Sequence, residues 1–398
     1  MRASLILALF LLLSACGAAV NYGPVRHAVL ADGANCNPVA TDAEAVAGKD
    51  YFIVTSRLPD CRNAAIRLTN HRSDTVRFGR FAPPIKKKLA KGEVRFDVPT
   101  AFQPEGEWWS SLRDAANLRQ GRVLLYVHGF REDIDSSSKD AVQIGAMTGF
   151  DGPVVQYSWP SQGKLLSYAV DETNMYWDER NFRRFLQNLA TQDWVKEIVI
   201  VSHSMGARLV IPAVEYVDRN SANVDSSNIS NIILASPDVD RQDFERDIIE
   251  EVLSARRVNN DRRITIYASS KDKALALSRS IHGYPRLGSP YCFDPNEAKA
   301  LKAAGKPERC FAAKGRYTQE PSKSGLTIID TSEVSTGGSG HSDYLRSPPA
   351  CRDFIATIKG QREGVSGRLA TDLPHVFALQ PDAKKPKGEV DTVCQLVG

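Results

Sequence analysis

The feature that most narrows the fold is the junction at residues 198–211. There the apolar run Ile198-Val199-Ile200-Val201 meets Ser202-His203-Ser204-Met205-Gly206 and then the helical-looking Ala207-Arg208-Leu209-Val210-Ile211. A short apolar run bounded by turn residues reads as a strand covered on both faces, the environment of a parallel sheet. A small-residue x-Ser-x-Gly turn from such a strand into a helix holds a serine hydroxyl clear of the backbone at the carboxyl end of the sheet. Ser204 is therefore the candidate nucleophile.

A second strand and turn, Val123-Leu124-Leu125-Tyr126-Val127 followed by His128-Gly129-Phe130, gives that serine a context. The oxyanion of an acyl transfer needs N–H donors from the residue after the nucleophile and from the loop after an earlier strand. Met205 and Phe130 occupy those two places.

Along the chain, strand-like segments appear at 51–56 and 93–98, the latter closed by Pro99. After Trp108-Trp109 and a polar connection, strands alternate with helices. Val123 to Val127 is a strand, and Ser138 to Met147 a helix after a serine cap. The strand Val154 to Ser158 ends at Trp159-Pro160. A long helix follows, with Met175, Phe182, Phe185, Leu186 and Leu189 on one stripe. Further strands are expected at 198–201, 232–235, 264–268 and 326–329, with a helix from about Arg241 to Arg256. This alternation predicts an α/β fold: a mostly parallel central sheet with helices on both faces. The stretch 280–324, rich in Gly, Pro and Lys and carrying Cys292 and Cys310, interrupts the rhythm and reads as a lid or cap-like insertion. A plain surface excursion is the alternative. The main domain is thus expected over 51–358, with 359–398 as a C-terminal tail.

The first residues have another character. Arg2, the apolar run Leu5 to Leu13 and the ending Leu13-Ser14-Ala15-Cys16 describe a secretory signal over 1–15. The last four residues resemble a bacterial lipobox, which implies cleavage before Cys16, lipid attachment there, and an exported lipoprotein on a tether over 16–50. Ordinary signal cleavage within 15–19 is the alternative. No later segment is long and apolar enough to cross a bilayer. Of the 7 cysteines, lipidation of Cys16 leaves six, an even set for an oxidising compartment. Sequence neighbours would pair Cys36 with Cys61, Cys292 with Cys310 and Cys351 with Cys394. No C-x-x-C pair points to a metal, and no cofactor is called for. The net charge of +4 and the Lys86–Lys88 and Lys384–Lys387 runs, without interleaved aromatics, give no reason to expect nucleic acid.

A serine hydroxyl needs a base, and the base needs an orienting acid. When these follow the nucleophile as acid and then histidine, His27, His71, His128 and His203 drop out. His282, His341 and His375 remain. His341, in the Gly/Ser-rich loop 336–342 after the last core strand, is preferred, with His282 of the insertion as rival. Asp272, after strand 264–268, is the preferred acid; Asp238, one strand earlier, is the alternative. His128 and Gly129, with Trp159 and Tyr168, are placed as pocket residues, where apolar walls suit an acyl chain or aromatic ester.

The segments Tyr126-Val127-His128-Gly129-Phe130, Tyr157-Ser158-Trp159-Pro160-Ser161, Val201 to Gly206, Ala235-Ser236-Pro237-Asp238 and Ala274 to Arg279 are similar to the α/β hydrolases catalogued as a family of unknown function. The resemblance covers about Tyr51 to Phe354. It implies the α/β hydrolase fold and a Ser204, Asp272, His341 triad, and it names no substrate. Ser202 stands where Gly is commoner. The expectation is an envelope-tethered serine hydrolase acting on small-molecule or lipid esters. An acyltransferase with the same triad and a catalytically silent scaffold are the alternatives.

Overall fold

The computed structural model describes residues 50–395, apart from 61–66, 84, 89–93, 98–99, 221–227, 255–261, 313–314, 337, 362–363 and 383–390. The expected signal over 1–15 and the expected tether up to residue 49, with Cys16, Cys36 and Cys61, lie outside these residues.

The strands are β1 (Tyr51–Asp60), β2 (Arg67–Phe81), β3 (Ile85–Lys88), β4 (Val94–Asp97), β5 (Thr100–Gln103), β6 (Arg122–Val127) and β7 (Val154–Ser158). They continue with β8 (Glu197–His203), β9 (Ile229–Ala235), β10 (Arg263–Ala268), β11 (Leu326–Asp330), β12 (Arg368–Ala370) and β13 (Val376–Leu379). Eleven of them form one sheet in the order β12-β13-β11-β10-β9-β8-β6-β7-β1-β2-β5. Its centre, from β1 through β7, β6, β8, β9, β10 and β11 to β13, is parallel, while β2, β5 and β12 pair antiparallel at the edges. The mostly parallel α/β sheet expected from the alternation is present.

Both faces of the sheet are covered, as strand patterning requires. Val123, Leu125, Ile198 and Ile200 join one apolar cluster, while Leu124, Tyr126, Val199 and Val201 join a second. Successive residues of a strand point to opposite faces, so a run without polar gaps must be buried twice. Helices α1 (Glu105–Asn117), α3 (Tyr168–Ala190) and α4 (Ala207–Asn220) pack on the first face. Helices α2 (Ile134–Thr148) and α7 (Pro348–Ile358) pack on the second. Between them in sequence lie α5 (Lys273–His282) and α6 (Pro295–Ala303).

Several elements depart from the sequence reading. Helix α2 begins four residues before Ser138, because Asp133 and Ser136 form a reciprocal capping box. The segment Arg241–Ser254 is a chain of α-, π- and α-helical turns capped by Asp240. Residues 359–398, read as a tail, supply β12 and β13 to the main sheet. Of the segment expected at 93–98, Val94–Asp97 forms β4, which pairs with β3 in a separate hairpin, so the Lys86–Lys88 run is strand. The pairs Cys292–Cys310 and Cys351–Cys394 are disulfides, as sequence neighbours.

Candidate active site

The chain runs from β6 to β7 on one side and then returns to β8 on the other side of β6. Loops leaving the carboxyl ends of β6 and β8 therefore diverge, and an open α/β sheet places its ligand crevice at such a reversal. Ser204 opens the turn after β8, and Phe130 lies in the turn after β6.

Ser204 has φ +53°, a left-handed conformation that costs a residue with a Cβ about 1–2 kcal/mol. Its neighbours hold it there. The Ser204 carbonyl accepts the Asp238 N–H at 3.1 Å, and the residue is buried. A Cβ on Gly129 would stand 2.8 Å from the Ser204 Cβ and 2.9 Å from the His203 carbonyl oxygen. Only glycine lets the β6 loop lie this close to the serine. Met205 falls in the first turn after the strand, so its N–H has no acceptor within the helix. Neither that N–H nor that of Phe130 donates to a backbone acceptor among the described residues.

His341 follows β11, and its Nδ1 is 2.7 Å from Asp272 Oδ2. The other oxygen of Asp272 accepts the Leu275 N–H at 2.9 Å and caps α5, which fixes the carboxylate's direction. The His341 loop lies against this turn: Lys273 N–H donates to Ser339 O at 2.8 Å. Gly340, at φ +71°, would place a Cβ 2.8 Å from the Lys271 oxygen, so a side chain there would push the histidine away. Burial opposes the charged form of His341, but the facing Asp272 carboxylate outweighs it and the pKa rises above the ordinary histidine value.

His203 supports the same loop. Its pKa falls to about 3 through burial and the neighbouring His341, so the ring is neutral. Its Nε2 lies 3.1 Å from the His341 carbonyl oxygen and must carry the proton to donate there. The two rings are 4.8 Å apart. Thus Asp272 and His341 are in direct contact, Ser204 joins them through His203, and no hydrogen bond links the Ser204 hydroxyl to His341 among the described residues. Serine–base hydrogen bonds commonly tighten only with substrate present.

The rival residues are engaged elsewhere. Asp238 accepts from Arg286 Nε at 2.7 Å, Arg208 Nη2 at 3.0 Å, Tyr168 hydroxyl at 2.5 Å and Ser278 Oγ at 2.6 Å. Burial works against its charge, yet the two guanidinium groups bring its pKa down to about 2. His282 faces Glu172 at 3.0 Å through Nε2 and the Ser278 carbonyl at 2.8 Å through Nδ1. His375 precedes β13 at the amino ends of the strands, away from Ser204.

The four pocket residues divide. Trp159 and His128 are fully buried and stack on each other at 4.9 Å. The Trp159 indole N–H donates to the His128 carbonyl at 2.9 Å, and the His128 ring nitrogens face the Gly129 and Trp159 carbonyls at 2.9 and 3.1 Å. These two hold the β6 loop from below and do not line a pocket. Their apolar bodies and polar tips are satisfied internally. Gly129 is at the serine, and Tyr168 is half-buried with its ring against Phe130 at 5.1 Å.

Sequence reasoning missed Arg57. It is fully buried within β1, beside a register shift in its pairing with β2, and has no carboxylate in ion-pair contact among the described residues. Its guanidinium donates to Ser158 Oγ at 2.8 Å, Asn70 Oδ1 at 2.7 Å, Ser161 O at 3.0 Å and Glu132 O at 2.8 Å. Burial lowers its pKa to about 10, so it stays charged at neutral pH. Asp171 adds a second tie, accepting from Arg131 N–H at 3.3 Å, Gln162 N–H at 2.6 Å and Ser161 Oγ at 2.6 Å. A cation directly after the strand-like segment 51–56 was the available signal.

Fold and site together define an α/β hydrolase. Residues 110–362 match the family described as alpha/beta hydrolase of unknown function, and the chain belongs to that family. No curated protein matches it. Among solved structures, a predicted CIB-like hydrolase from Thermoplasma acidophilum is 15% identical over 71% of this chain and 99% of its own, with TM-score 0.30. Carboxyl esterase 2 from the fungus Tuber melanosporum is 11% identical over 72% of this chain and 88% of its own, with TM-score 0.31.

Proposed function

We propose that the protein is a serine hydrolase that cleaves carboxylic esters through an acyl-enzyme on Ser204. The observation that carries this reading is the 2.7 Å contact of His341 Nδ1 with Asp272, on a loop braced by the histidine adjacent to a serine at φ +53°. His341 Nε2 takes the Ser204 proton as Oγ bonds to the ester carbonyl carbon. Asp272 holds the imidazole tautomer and favours the imidazolium. The N–H groups of Met205 and Phe130 receive the oxyanion, each such donor contributing about 3–4 kcal/mol. The C–O bond to the alcohol then breaks, and the alcohol leaves with the proton from His341. Water, deprotonated by the same ring, releases the acid and restores Ser204. We place the protein in the bacterial envelope, held by lipid on Cys16.

A fluorophosphonate probe tests the chemistry: Ser204 in the folded chain is labelled and Ser204→Ala is not. Absence of label on the folded parent overturns the reading and leaves a binding or scaffold role. Fatty-acid labelling lost in Cys16→Ser tests the anchor; label that persists removes it.

A further inference from the structure

Helix α5 has two faces of opposite character. Leu275 and Ser278 are buried, and Ser278 Oγ donates to Asp238 at 2.6 Å. Lys273, Ala276, Leu277, Ser280, Ile281 and, one turn on, Tyr284 all face solvent. Leu277 is 52% and Ile281 55% exposed. The face continues beyond the helix: the Tyr284 ring stacks on Phe293 at 5.8 Å, and Arg279 lies 3.6 Å over Tyr291. Leu166, 84% exposed, stands two residues before Tyr168, whose ring meets His282 at 5.8 Å. Six of the ten large exposed apolar side chains among the described residues fall in these two segments. Single exposed apolar residues are ordinary on a soluble surface; a contiguous group marks an interface.

The face borders the candidate active site. Asp272 caps α5, and Tyr168 and Phe130 are in ring contact. Its charge is one-sided: residues 271–293 carry Lys271, Lys273, Arg279 and the buried Arg286 against one acid, Asp272, which is buried facing His341. Lys164 adds another exposed cation beside Leu166, and acidic residues resume only at Asp294.

We infer that this face docks on an anionic lipid bilayer, with Leu277, Ile281 and Leu166 entering the acyl region while Lys164, Lys271 and Lys273 meet the headgroups. Apolar side chains beside basic ones are the composition of interfacial binding surfaces. Taken with the hydrolase reading, on which this clause rests, the substrate is a lipid ester drawn from that bilayer. β1 starts at the amino ends of the parallel strands, opposite Ser204. The 35 residues from Cys16 to Tyr51 reach at most about 115–125 Å, against a domain diameter of about 50 Å. An anchor at Cys16 therefore allows the carboxyl-end face to turn to the membrane.

Tryptophan placed at position 277 reports the contact in the full chain. Vesicles of phosphatidylethanolamine and phosphatidylglycerol with brominated acyl chains are expected to quench the fluorescence that Leu277→Trp adds to the parent. The control is Leu118→Trp, at a site 76% exposed that leads into the amino end of β6; its added fluorescence should remain. Equal quenching at both positions, or none at 277, overturns the proposal. Absence of quenching with a dimer that Leu277→Lys disrupts assigns the face to a second copy instead. This readout needs no catalysis, so it stands apart from Ser204 labelling. In a labelled, active chain, Leu277→Lys/Ile281→Lys should leave turnover of a soluble short-chain ester unchanged and lower turnover of a vesicle-borne ester tenfold or more; equal turnover of both overturns it.

Discussion

His341 Nδ1 stands 2.7 Å from Oδ2 of Asp272, and the other oxygen of that carboxylate caps the helix that follows it. The two functions can be separated. Asp272→Asn keeps a good capping side chain but removes the charge and disturbs the imidazole tautomer. Its Ser204 labelling rate is expected to fall about 10³–10⁴-fold with little change in melting temperature. Asp272→Ala should lose a similar rate and, in addition, about 1 kcal/mol of stability. Equal stability losses in both variants would count against the shared role.

The raised pKa of His341 gives activity and stability opposite pH trends. The base must be neutral, so labelling should decline as pH falls through a value above 6.5, and Asp272→Asn should move this limb to lower pH. The folded chain binds the His341 proton more tightly than the unfolded chain does. Its contribution to stability is therefore complete below the unfolded value near 6.5 and is lost as pH rises through the higher folded value. Labelling rates and urea midpoints across this range check both signs.

Gly129→Ala should cost activity without unfolding the chain. Its new Cβ has no room between Ser204 Cβ and the His203 carbonyl, so the β6 loop must withdraw and take the Phe130 N–H with it. Losing one oxyanion donor lowers turnover about 10²–10³-fold. A kcat near the parent value would remove Phe130 from the proposed oxyanion site.

Asp238→Asn provides the contrast with Asp272. It weakens a carboxylate on which Arg208 and Arg286 converge, and leaving buried charges uncompensated costs about 3–5 kcal/mol. The melting temperature should drop clearly while the acid limb of the labelling profile moves less than in Asp272→Asn, since the Asp272 carboxylate acts on His341 more strongly than that of Asp238 does. A limb that moved as far as in Asp272→Asn would reopen the assignment of the acid.

What could be read from the sequence follows how each segment is buried. β6, β7, β8, β9, β10 and β11 are covered on both faces, so their apolar runs stand out. β2 carries Arg67, His71, Arg72, Arg77 and Arg80 on an edge region of the sheet, and no apolar period marks it. Helix α1 was hidden because its anchor, Trp108, is read with Trp109 as an isolated aromatic pair; the Trp108 indole N–H donates to Gly79 O at 2.8 Å, a contact visible only in three dimensions. β12 and β13 are three and four residues long, too short to show a period. At the site, chain order pointed to Asp272 and His341, which the structure places 2.7 Å apart, because loops after successive parallel strands gather at one end of the sheet. The inward turn of His128 and Trp159 was not legible, since a polar aromatic pattern is the same whether its tips meet ligand or backbone.

Arg57 and Asn70 lie outside residues 110–362, yet the Arg57 fork holds Glu132 and Ser161 beside the Phe130 turn. The segment that identifies the family and the segment that works as one body therefore have different edges. A fragment cut at residue 110 would contain Ser204, Asp272 and His341 but would leave three oxygen acceptors, on β7 and on the loops after β6 and β7, without their shared cation. Possession of the three residues is thus no measure of competence in a shortened chain; β1 and β2, through Arg57 and Asn70, brace the loop that carries Phe130.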